Sequence, residues 1–207
     1  MNTNSLDLNA SIEWVRSGKI LAHPTESIWG LGCDAFNEDA VENLINLKKR
    51  KNKKNFILLA SSVEFIEKYV HDLSKDDKDF LNKYWPGPYT FLFNYSKNLP
   101  KHLQNRTGKI AIRVSDHLPI KHLFRGLDNF FVSTSANLSG AKNINDPNEV
   151  LNFFDYKDLA YYDADLGSLN KPSTIVDLES KEIISCLLYT SDAADEGLGV
   201  DLGGRRI

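Results

Sequence analysis

Short apolar runs with strand character alternate along the chain with segments whose apolar residues recur at helical spacing. Helices are predicted over 9–17, 38–47, 63–70, 75–84, 117–123 and 146–154, and strands over 19–22, 56–60, 89–93, 109–114, 130–132, 159–162 and 173–178. Strands interleaved with helices favour an α/β fold built on one twisted mixed sheet with flanking helices. The length of 207 residues fits one domain, and 42% hydrophobic residues supply a sizeable core.

Composition narrows the class of protein further. A formal net charge of −3 excludes a generally basic nucleic-acid coat, so any binding of anions must be local. The two cysteines, Cys33 and Cys186, argue against a disulfide framework and for a reducing cytoplasm; Cys33 is expected to be a packed side chain. No apolar stretch approaches a membrane span, residues 1–9 do not read as a secretory signal, and the histidines lack metal-ligand spacing. We therefore expect a cytoplasmic protein without a membrane segment or a protein-held metal.

A turn rich in polar groups is predicted after the first of these strands. Pro24 should end that strand near His23, because proline lacks the N–H that a ladder needs. Residues 25–27 then offer two hydroxyls and a carboxylate, while Gly30 and Gly32 would allow positive φ and close approach of a ligand to the backbone. The pattern is neither a Walker A loop nor the dinucleotide fingerprint. It suits a ligand with anionic oxygens, although a purely structural turn fits as well.

A cluster of six cations follows the predicted helix 38–47, which Asn37 is placed to cap. The cations are Lys48, Lys49, Arg50, Lys51, Lys53 and Lys54. One interpretation is a solvated helix end whose charges complement the helix dipole. The other is an anion site at a helix-to-strand junction, with a nucleoside triphosphate or a nucleic-acid backbone as its ligand.

The character of the sequence changes at its end. From Cys186 onward neither a clear period nor helix caps are present. Back-translation of Cys186–Glu196 fits the mosaic end of a transposase-type sequencing adapter, and Val200–Ile207 fits that adapter's outer part. We therefore interpret 185–207 as a suspected non-native read-through tail; the alternative is a genuine but unusual tail. Resequencing the locus separates the two, because an uninterrupted native frame through Cys186 would contradict read-through.

Seven motifs in the same order resemble the YrdC-type family of threonylcarbamoyl-AMP synthases, in its short single-domain form. They are Pro24-Thr25-Glu26-Ser27 with Gly30-Leu31-Gly32, Lys48-x-Arg50, Trp85-Pro86-Gly87-Pro88, Ala111-Ile112-Arg113-Val114, Ser133 to Gly140, and Pro172-Ser173-Thr174-Ile175. The resemblance covers about 12–184 and implies a YrdC-like domain over 12–184 with a concave basic groove. An N-terminal segment over 1–11 precedes this domain, and the suspected read-through tail over 185–207 follows it.

The resemblance implies a reaction. L-threonine, bicarbonate and ATP would give threonylcarbamoyl-AMP and pyrophosphate, the activated donor for N6-threonylcarbamoyladenosine in tRNA. Such an enzyme is a nucleotidyltransferase, with Mg²⁺ arriving on ATP and not held in a protein cage. The tRNA or a threonylcarbamoyl transferase complex would act downstream. Since no covalent enzyme intermediate is needed, positioning and charge neutralisation should dominate catalysis.

The resemblance also assigns roles to particular residues. The implied catalytic residues are Lys48, Arg50, Ser135 and Asn137; the implied threonine-binding residues are Ser27, Arg113, Ser133 and Ser173; the implied ATP-binding residues are Arg50, Lys54, Lys109, Ser135 and Asn143. Among these, Arg113 is expected to clamp the threonine carboxylate, although it could merely pair with Asp116. The motif at 85–88 is expected to be a rigid turn with apolar support, and Asp177 a strand-end cap.

Departures and rivals remain open at the level of sequence. Trp29 stands where the family often has tyrosine, Lys51 where it often has proline, and Ser185 where it has an arginine that meets the nucleotide. We therefore expect Ser185→Arg with a native end to tighten ATP binding; equal affinities by calorimetry would contradict this. The main rival is a non-catalytic RNA- or tRNA-binding module. The second is a carbamoyl-adenylate enzyme of the hydrogenase-maturation branch, whose further zinc-finger and acylphosphatase-like segments are not expected here.

Overall fold

The computed structural model describes residues 4–49, 56–138, 144–169 and 173–184. The strands are β1 (Ser5–Leu6), β2 (Ile20–Pro24), β3 (Trp29–Gly32), β4 (Ile57–Leu59), β5 (Tyr89–Asn94), β6 (Lys109–Arg113), β7 (Phe131–Ser135), β8 (Leu159–Tyr162), β9 (Thr174–Asp177) and β10 (Ile183–Ile184). The helices are α1 (Leu8–Arg16), α2 (Glu38–Leu47), α3 (Val63–Ile66), α4 (Lys75–Tyr84), α5 (Leu118–Leu123) and α6 (Pro147–Phe154), with a short 3₁₀ turn at Lys101–Leu103.

All ten strands join one mixed sheet in the order β1-β8-β2-β3-β7-β4-β6-β5-β9-β10. Pairs β1–β8, β2–β8, β4–β6 and β5–β9 are parallel, and the other five are antiparallel. The α/β class with a mixed sheet and flanking helices is therefore confirmed. The expected domain start at residue 12 falls inside α1, and β1 already pairs with β8 ahead of it.

Alternation along each strand divides the sheet into two faces. The first face packs the main core, where α2, α3, α4 and α6 contribute Leu44, Ile66, Leu81 and Val150 against strand residues such as Ile112. A smaller apolar cluster lies on the second face, where residues of α1 and α5 pack on β2, β4, β7 and β8. A third, small apolar cluster on that second face is Leu92, Ala111 and Ile175. The part of the second face beside α1 and α5 carries the polar side chains described below.

Local capping chemistry sets the helix starts as the sequence indicates. The Asn37 side chain accepts from the Ala40 N–H at 3.0 Å, and α2 covers the predicted range. Ser74 and Asp77 form a reciprocal capping box at the start of α4. Cys33 is buried, and burial raises the pKa of its thiol, which confirms a packed role. Within the described ranges, no helix combines the length and hydropathy that crossing a membrane would require.

Two predicted elements end three or more residues away from the observed ones. The helix predicted over 63–70 ends at Ile66, because the chain turns and Val70 forms an isolated bridge with Tyr95. The strand predicted to end at Val132 continues through Ser135, since β3 pairs with it there. Sequence patterns did not reveal β3, which was interpreted as part of a turn, or the two-residue strands β1 and β10.

Pro24 is the last residue of β2, one residue beyond the predicted end near His23. It pairs with Trp29 in the β2–β3 hairpin, and the next residue, Thr25, donates its N–H to the Ile28 carbonyl at 3.2 Å. Hydrogen-bonded and non-hydrogen-bonded pairs alternate in an antiparallel ladder, so the Pro24–Trp29 pair needs no N–H from proline. Neighbouring β8 pairs with β2 only as far as Ala22. A turn begins directly after Pro24, so the predicted change from strand to loop at this point is confirmed to within one residue.

The glycines of β3 allow close packing and not a left-handed turn. Of the glycines in the described ranges, only Gly18 and Gly108 have a positive φ. A Cβ built on Gly30 would lie 2.7 Å from His23 Nε2, and one on Gly32 would lie 2.2 Å from the Val132 carbonyl. The expectation of positive φ at Gly30 and Gly32 was wrong. Both residues are in an extended strand, and glycine is needed there because neighbouring atoms occupy the space that a Cβ would fill.

Candidate active site

Every implied site residue on a described strand lies on the second face of the sheet. Lys109 and Arg113 of β6 share this face with Ala111, while Ser133 and Ser135 of β7 share it with Phe131. Ser173 lies one residue before β9, in phase with Ile175. Three implied residues, Arg50, Lys54 and Asn143, lie outside the described residues, as does the tail over 185–207.

The β2–β3 hairpin ends in a turn that Thr25 holds. Its hydroxyl donates to the Ile28 carbonyl at 2.7 Å and accepts from the Ser27 and Ile28 N–H groups at 3.3 and 3.2 Å. The segment 163–169 lies against this turn, because Gly167 and Leu169 donate their N–H groups to the carbonyls of Thr25 and Glu26, each at 2.8 Å. The turn is therefore fixed from both sides, with half-buried Ser27 at its tip.

Arg113 is held by a carboxylate from the distant turn. Its Nη2 donates to Glu26 Oε1 at 2.6 Å, and the same oxygen accepts from the Ser115 hydroxyl at 2.6 Å. The side chains of Arg113 and Glu26 are only 12% and 15% exposed. Burial lowers the pKa of Arg113 and the Glu26 charge offsets part of that shift, so the guanidinium stays charged. The alternative pairing with Asp116 was wrong, because Asp116 accepts from Lys121 at 3.2 Å.

The Trp85 to Pro88 motif positions the same arginine. Trp85 is buried against Phe91 and Phe93, and its indole N–H donates to the Tyr89 carbonyl at 2.7 Å, which confirms a rigid turn with apolar support. Beyond that role, the Gly87 carbonyl accepts from Arg113 Nε at 2.9 Å. Two of the guanidinium nitrogens are thus fixed by protein acceptors, so the plane of the group is set before a ligand arrives.

The contact between Glu26 and Arg113 also reports the shape of the sheet. In the sheet, β7 and β4 lie between the β2–β3 hairpin and β6, yet the two side chains meet. The sheet must therefore curve so that its second face is concave. The concave groove implied by the family resemblance is present between these elements.

Lys48 is buried at the end of α2. Only 2% of the residue is exposed, and its ammonium donates to the carbonyls of Ser135 and of Asn137, the latter at 2.8 Å. The Ser135 hydroxyl donates to Asn137 Oδ1 at 2.6 Å. Three of the four implied catalytic residues therefore lie together, and we name them the Lys48 cluster. The interpretation of Lys48 as a solvated helix end was wrong, because β7 lies within reach of its side chain.

Two hydroxyls of the groove pair with neighbouring polar groups. Ser133 Oγ lies 3.2 Å from Nε2 of His23, a fully buried residue of β2. Ser173 Oγ lies 2.8 Å from Thr90 Oγ1 on β5. Ser133 is thus half-buried and contacts His23 across the intervening strand β3, and Ser173 is buried and contacts Thr90 of β5.

Lys109 lies at the opposite end of β6 from Arg113. Its ammonium donates to Asp177 Oδ2 at 2.6 Å and to Glu179 Oε2 at 3.4 Å. Burial alone would lower the pKa of Lys109, but the two carboxylates outweigh it and the pKa is raised. Asp177 also accepts from the N–H groups of Glu179 and Ser180, which confirms it as a strand-end cap. A nucleotide would have to share Lys109 with these carboxylates.

The strand register gives the scale of the groove. Ser133, Ile57 and Ala111 lie in one row across β7, β4 and β6, which puts Ser133 and Ala111 about 10 Å apart. Arg113 lies two residues further along β6, so its Cα is about 12 Å from that of Ser133. This separation leaves room for a ligand of amino-acid size between the two side chains.

The space beside Glu26 is open as well. A cavity of about 650 Å³ adjoins it, lined among others by Gly87, His117, Asp165 and Leu169. Burial lowers the pKa of His117, whose Nε2 lies 3.1 Å from the Asp165 carbonyl. Across the described ranges, no three His, Cys, Asp or Glu side chains converge as a metal site would require. The groups present beside the groove can bind anions through Arg113 and Lys109 and can form hydrogen bonds through the serine hydroxyls.

Sequence reasoning missed the partners of the implied site residues. Glu26 was noted only as a carboxylate in the turn, while Ser115, Thr90 and His23 were assigned no role. Arg113 and Glu26 are 87 residues apart, so no local pattern signals their contact. One signal was available in the sequence. Thr90 and His23 are polar residues inside the apolar strands β5 and β2, and such residues usually have a polar partner when they are buried.

Comparisons with known proteins agree with this geometry. A model of the Sua5/YciO/YrdC family, which bears the description "Telomere recombination", matches residues 13–186. A protein of Stutzerimonas stutzeri (strain A1501) named threonylcarbamoyl-AMP synthase is 39% identical over 170 residues, covering 82% of this chain and 91% of its own length. The chain belongs to the Sua5/YciO/YrdC family, so the family resemblance is confirmed.

Solved structures show the same fold. E. coli YciO has a TM-score of 0.71 and 26% identity, covering 84% of this chain and 88% of its own. A P. abyssi Sua5 structure, described as complexed with L-threonine, has a TM-score of 0.75 at 23% identity, covering 84% of this chain and 54% of its own. At that identity the second likeness concerns the fold alone. The YrdC-like architecture is therefore confirmed.

Proposed function

We propose that this chain is an enzyme that forms threonylcarbamoyl-AMP and pyrophosphate from L-threonine, bicarbonate and ATP. One observation carries the proposal: a fixed, charged Arg113 lies on the same concave face as Ser133 and Ser135, with about 12 Å between the Cα atoms of Arg113 and Ser133, and the carbonyl of Ser135 is held by Lys48. Relatives of similar length that are named threonylcarbamoyl-AMP synthase support it, and they do not favour a non-catalytic RNA-binding module.

The amino-acid end of the groove would be the part near Arg113. With Nε on the Gly87 carbonyl and one terminal nitrogen on Glu26, the guanidinium keeps N–H groups that can donate to the threonine carboxylate. Ser133, Ser173 and the Ser27 hydroxyl would bind the remaining polar groups of threonine. Because protein acceptors fix these side chains beforehand, little ordering cost is left for substrate binding.

The nucleotide end would be the part near the Lys48 cluster. Its buried ammonium holds the carbonyls of Ser135 and Asn137, so the Asn137 amide N–H group would donate to phosphate or carbamate oxygens. The Ser135 hydroxyl would donate to such an oxygen by turning away from Asn137 Oδ1. Lys109, together with Arg50, Lys54 and Asn143 outside the described residues, would bind ATP, and Mg²⁺ would accompany the triphosphate. The enzyme would then be a nucleotidyltransferase.

The chemistry balances without a covalent enzyme intermediate. The threonine amine attacks the bicarbonate carbon, water leaves, and a carbamate forms. A carbamate oxygen then attacks the α-phosphorus of ATP, the bond to the β-phosphate oxygen breaks, and pyrophosphate leaves. The groups of the groove hold two anionic reactants side by side and neutralise charge as it develops. The product is an activated adenylate that a tRNA-modifying transferase can consume.

Pyrophosphate release tests the proposal. The protein is incubated with ATP, Mg²⁺, bicarbonate and L-threonine, and release should depend on threonine. Arg113→Ala should lower kcat/KM for threonine by about 100-fold or more, the scale of a lost charged hydrogen bond in a fixed site. Arg16→Ala, which removes a surface arginine paired with Glu13, is the matched control and should not change the rate.

Two outcomes would contradict the proposal. One is release that does not depend on threonine; the other is no release, even from a version carrying Ser185→Arg and a native end. RNA binding that exceeds any effect of threonine and weakens steeply with salt would favour the binding-module alternative.

A further inference from the structure

His23 is a fully buried imidazole beside the groove, and its surroundings fix its position. Nε2 lies 3.2 Å from Ser133 Oγ and Nδ1 lies 3.4 Å from the Pro24 carbonyl. The ring packs edge-on against Phe131, with centroids 5.1 Å apart. Gly30 closes the remaining side, because any Cβ there would lie 2.7 Å from Nε2. The imidazole therefore has one defined orientation.

The partners of the ring define where its proton lies. Burial lowers the pKa of His23 to about 4, so the imidazole is neutral at pH 7 and carries one N–H. The Pro24 carbonyl can only accept, so Nδ1 must be the donor and Nε2 the acceptor. The Ser133 hydroxyl must consequently donate its proton to Nε2. What Ser133 presents to the groove is then its oxygen lone pairs alone.

We propose that His23 is a positioning residue that turns Ser133 into a hydrogen-bond acceptor for the donor group of the amino-acid substrate, its ammonium or its hydroxyl. The inference rests on the proposed function and deepens it. Ser133 is half-buried on the concave face, in the same row as Ile57 and Ala111, and its Cα is about 12 Å from that of Arg113. An amino acid whose carboxylate binds Arg113 must place its donor groups away from that residue, which is where Ser133 lies.

Steady-state kinetics with varied L-threonine tests the proposal through three variants. His23→Asn keeps a donor near the Nδ1 position but removes the acceptor at Nε2, whereas His23→Gln can place its Oε1 at the Nε2 position. Ser133→Ala removes the hydroxyl itself. We expect His23→Asn and Ser133→Ala each to raise KM for threonine by about 3- to 10-fold, the scale of one neutral hydrogen bond. The KM for ATP should stay unchanged, and His23→Gln should recover most of the affinity.

The double variant separates positioning from a merely structural role. Because His23 acts through Ser133, His23→Asn combined with Ser133→Ala should have the same KM for threonine as Ser133→Ala alone. His102→Asn, which removes the imidazole that contacts the Ala35 carbonyl at 2.8 Å, is the control and should leave KM unchanged.

The outcomes of these measurements are distinct. Effects of His23→Asn and Ser133→Ala that multiply in the double variant would overturn the inference. An equal rise in the KM for ATP, or His23→Gln no better than His23→Asn, would overturn it as well. Absence of threonine-dependent turnover in the wild-type chain would instead overturn the proposed function, and calorimetric binding of threonine to the variants would then decide the role of His23.

Discussion

Glu26→Gln is the sharpest structural perturbation of the site. Glu26 Oε1 accepts from Arg113 and from Ser115, each at 2.6 Å, and the two charged side chains are 12% and 15% exposed. Glutamine keeps the shape and one acceptor oxygen but removes the charge. A hydrogen bond to a charged group contributes roughly 1.5–3 kcal/mol, so we expect the free energy of unfolding to fall by about 2 kcal/mol. Glu26→Ala, which leaves the guanidinium without its partner, should cost about 3–5 kcal/mol.

Urea unfolding at pH 7 measures the change, with thermal melts as a second probe. For a chain of 207 residues, a loss of about 2 kcal/mol should lower Tm by roughly 4–8 °C. Asp116→Asn is the matched control, because its partner Lys121 is also cationic but the two side chains are 68% and 46% exposed. That variant should change stability by less than about 0.5 kcal/mol. Equal, small effects of Glu26→Gln and Asp116→Asn would refute the argument that burial makes this pair strong.

Further predictions concern packing, the buried lysine and pH. Gly32→Ala should cost about 3 kcal/mol or prevent folding, because its Cβ would lie 2.2 Å from the Val132 carbonyl; urea unfolding measures this. Lys48→Met should keep the buried stem but lose both charged hydrogen bonds, about 3 kcal/mol or more in total, and should lower kcat more than it raises KM for threonine. His23 has its folded pKa lowered from 6.5 to about 4, so the unfolded chain binds the additional proton between those values. The contribution of neutral His23 to the free energy of unfolding is fully present above pH 6.5 and is lost as pH falls toward 4. The loss amounts to about 3 kcal/mol between these pH values. In His23→Gln, the free energy of unfolding measured against pH should no longer show this loss.

What the sequence predicted well depends on interactions within a few residues. Asn37 and Ser74 cap their helices as expected, because a cap is a contact with a backbone N–H three residues away. The alternation of β6 likewise put Lys109 and Arg113 on one face. The family motifs indicated that Lys48, Ser135 and Asn137 belong to one site, and the structure places these three residues side by side.

What it could not predict depends on contacts between distant strands. Gly30 and Gly32 were interpreted as turn residues because a glycine's need for space is visible only once His23 and Val132 lie beside it. The burial of Lys48 follows from the position of the end of β7, 87 residues further along the chain. The pairing of Arg113 with a turn carboxylate requires the curvature of the whole sheet, which no local pattern encodes.

Mass spectrometry of the adenylate product tests the central claim most directly. The wild-type chain is incubated with ATP, L-threonine and ¹³C-labelled bicarbonate, and the reaction is resolved by time. We predict an adenylate that carries both the threonine and the ¹³C label, formed in step with pyrophosphate and strongly reduced in Arg113→Ala. Pyrophosphate release without a labelled threonine adenylate, or the same yield from Arg113→Ala, would contradict the account.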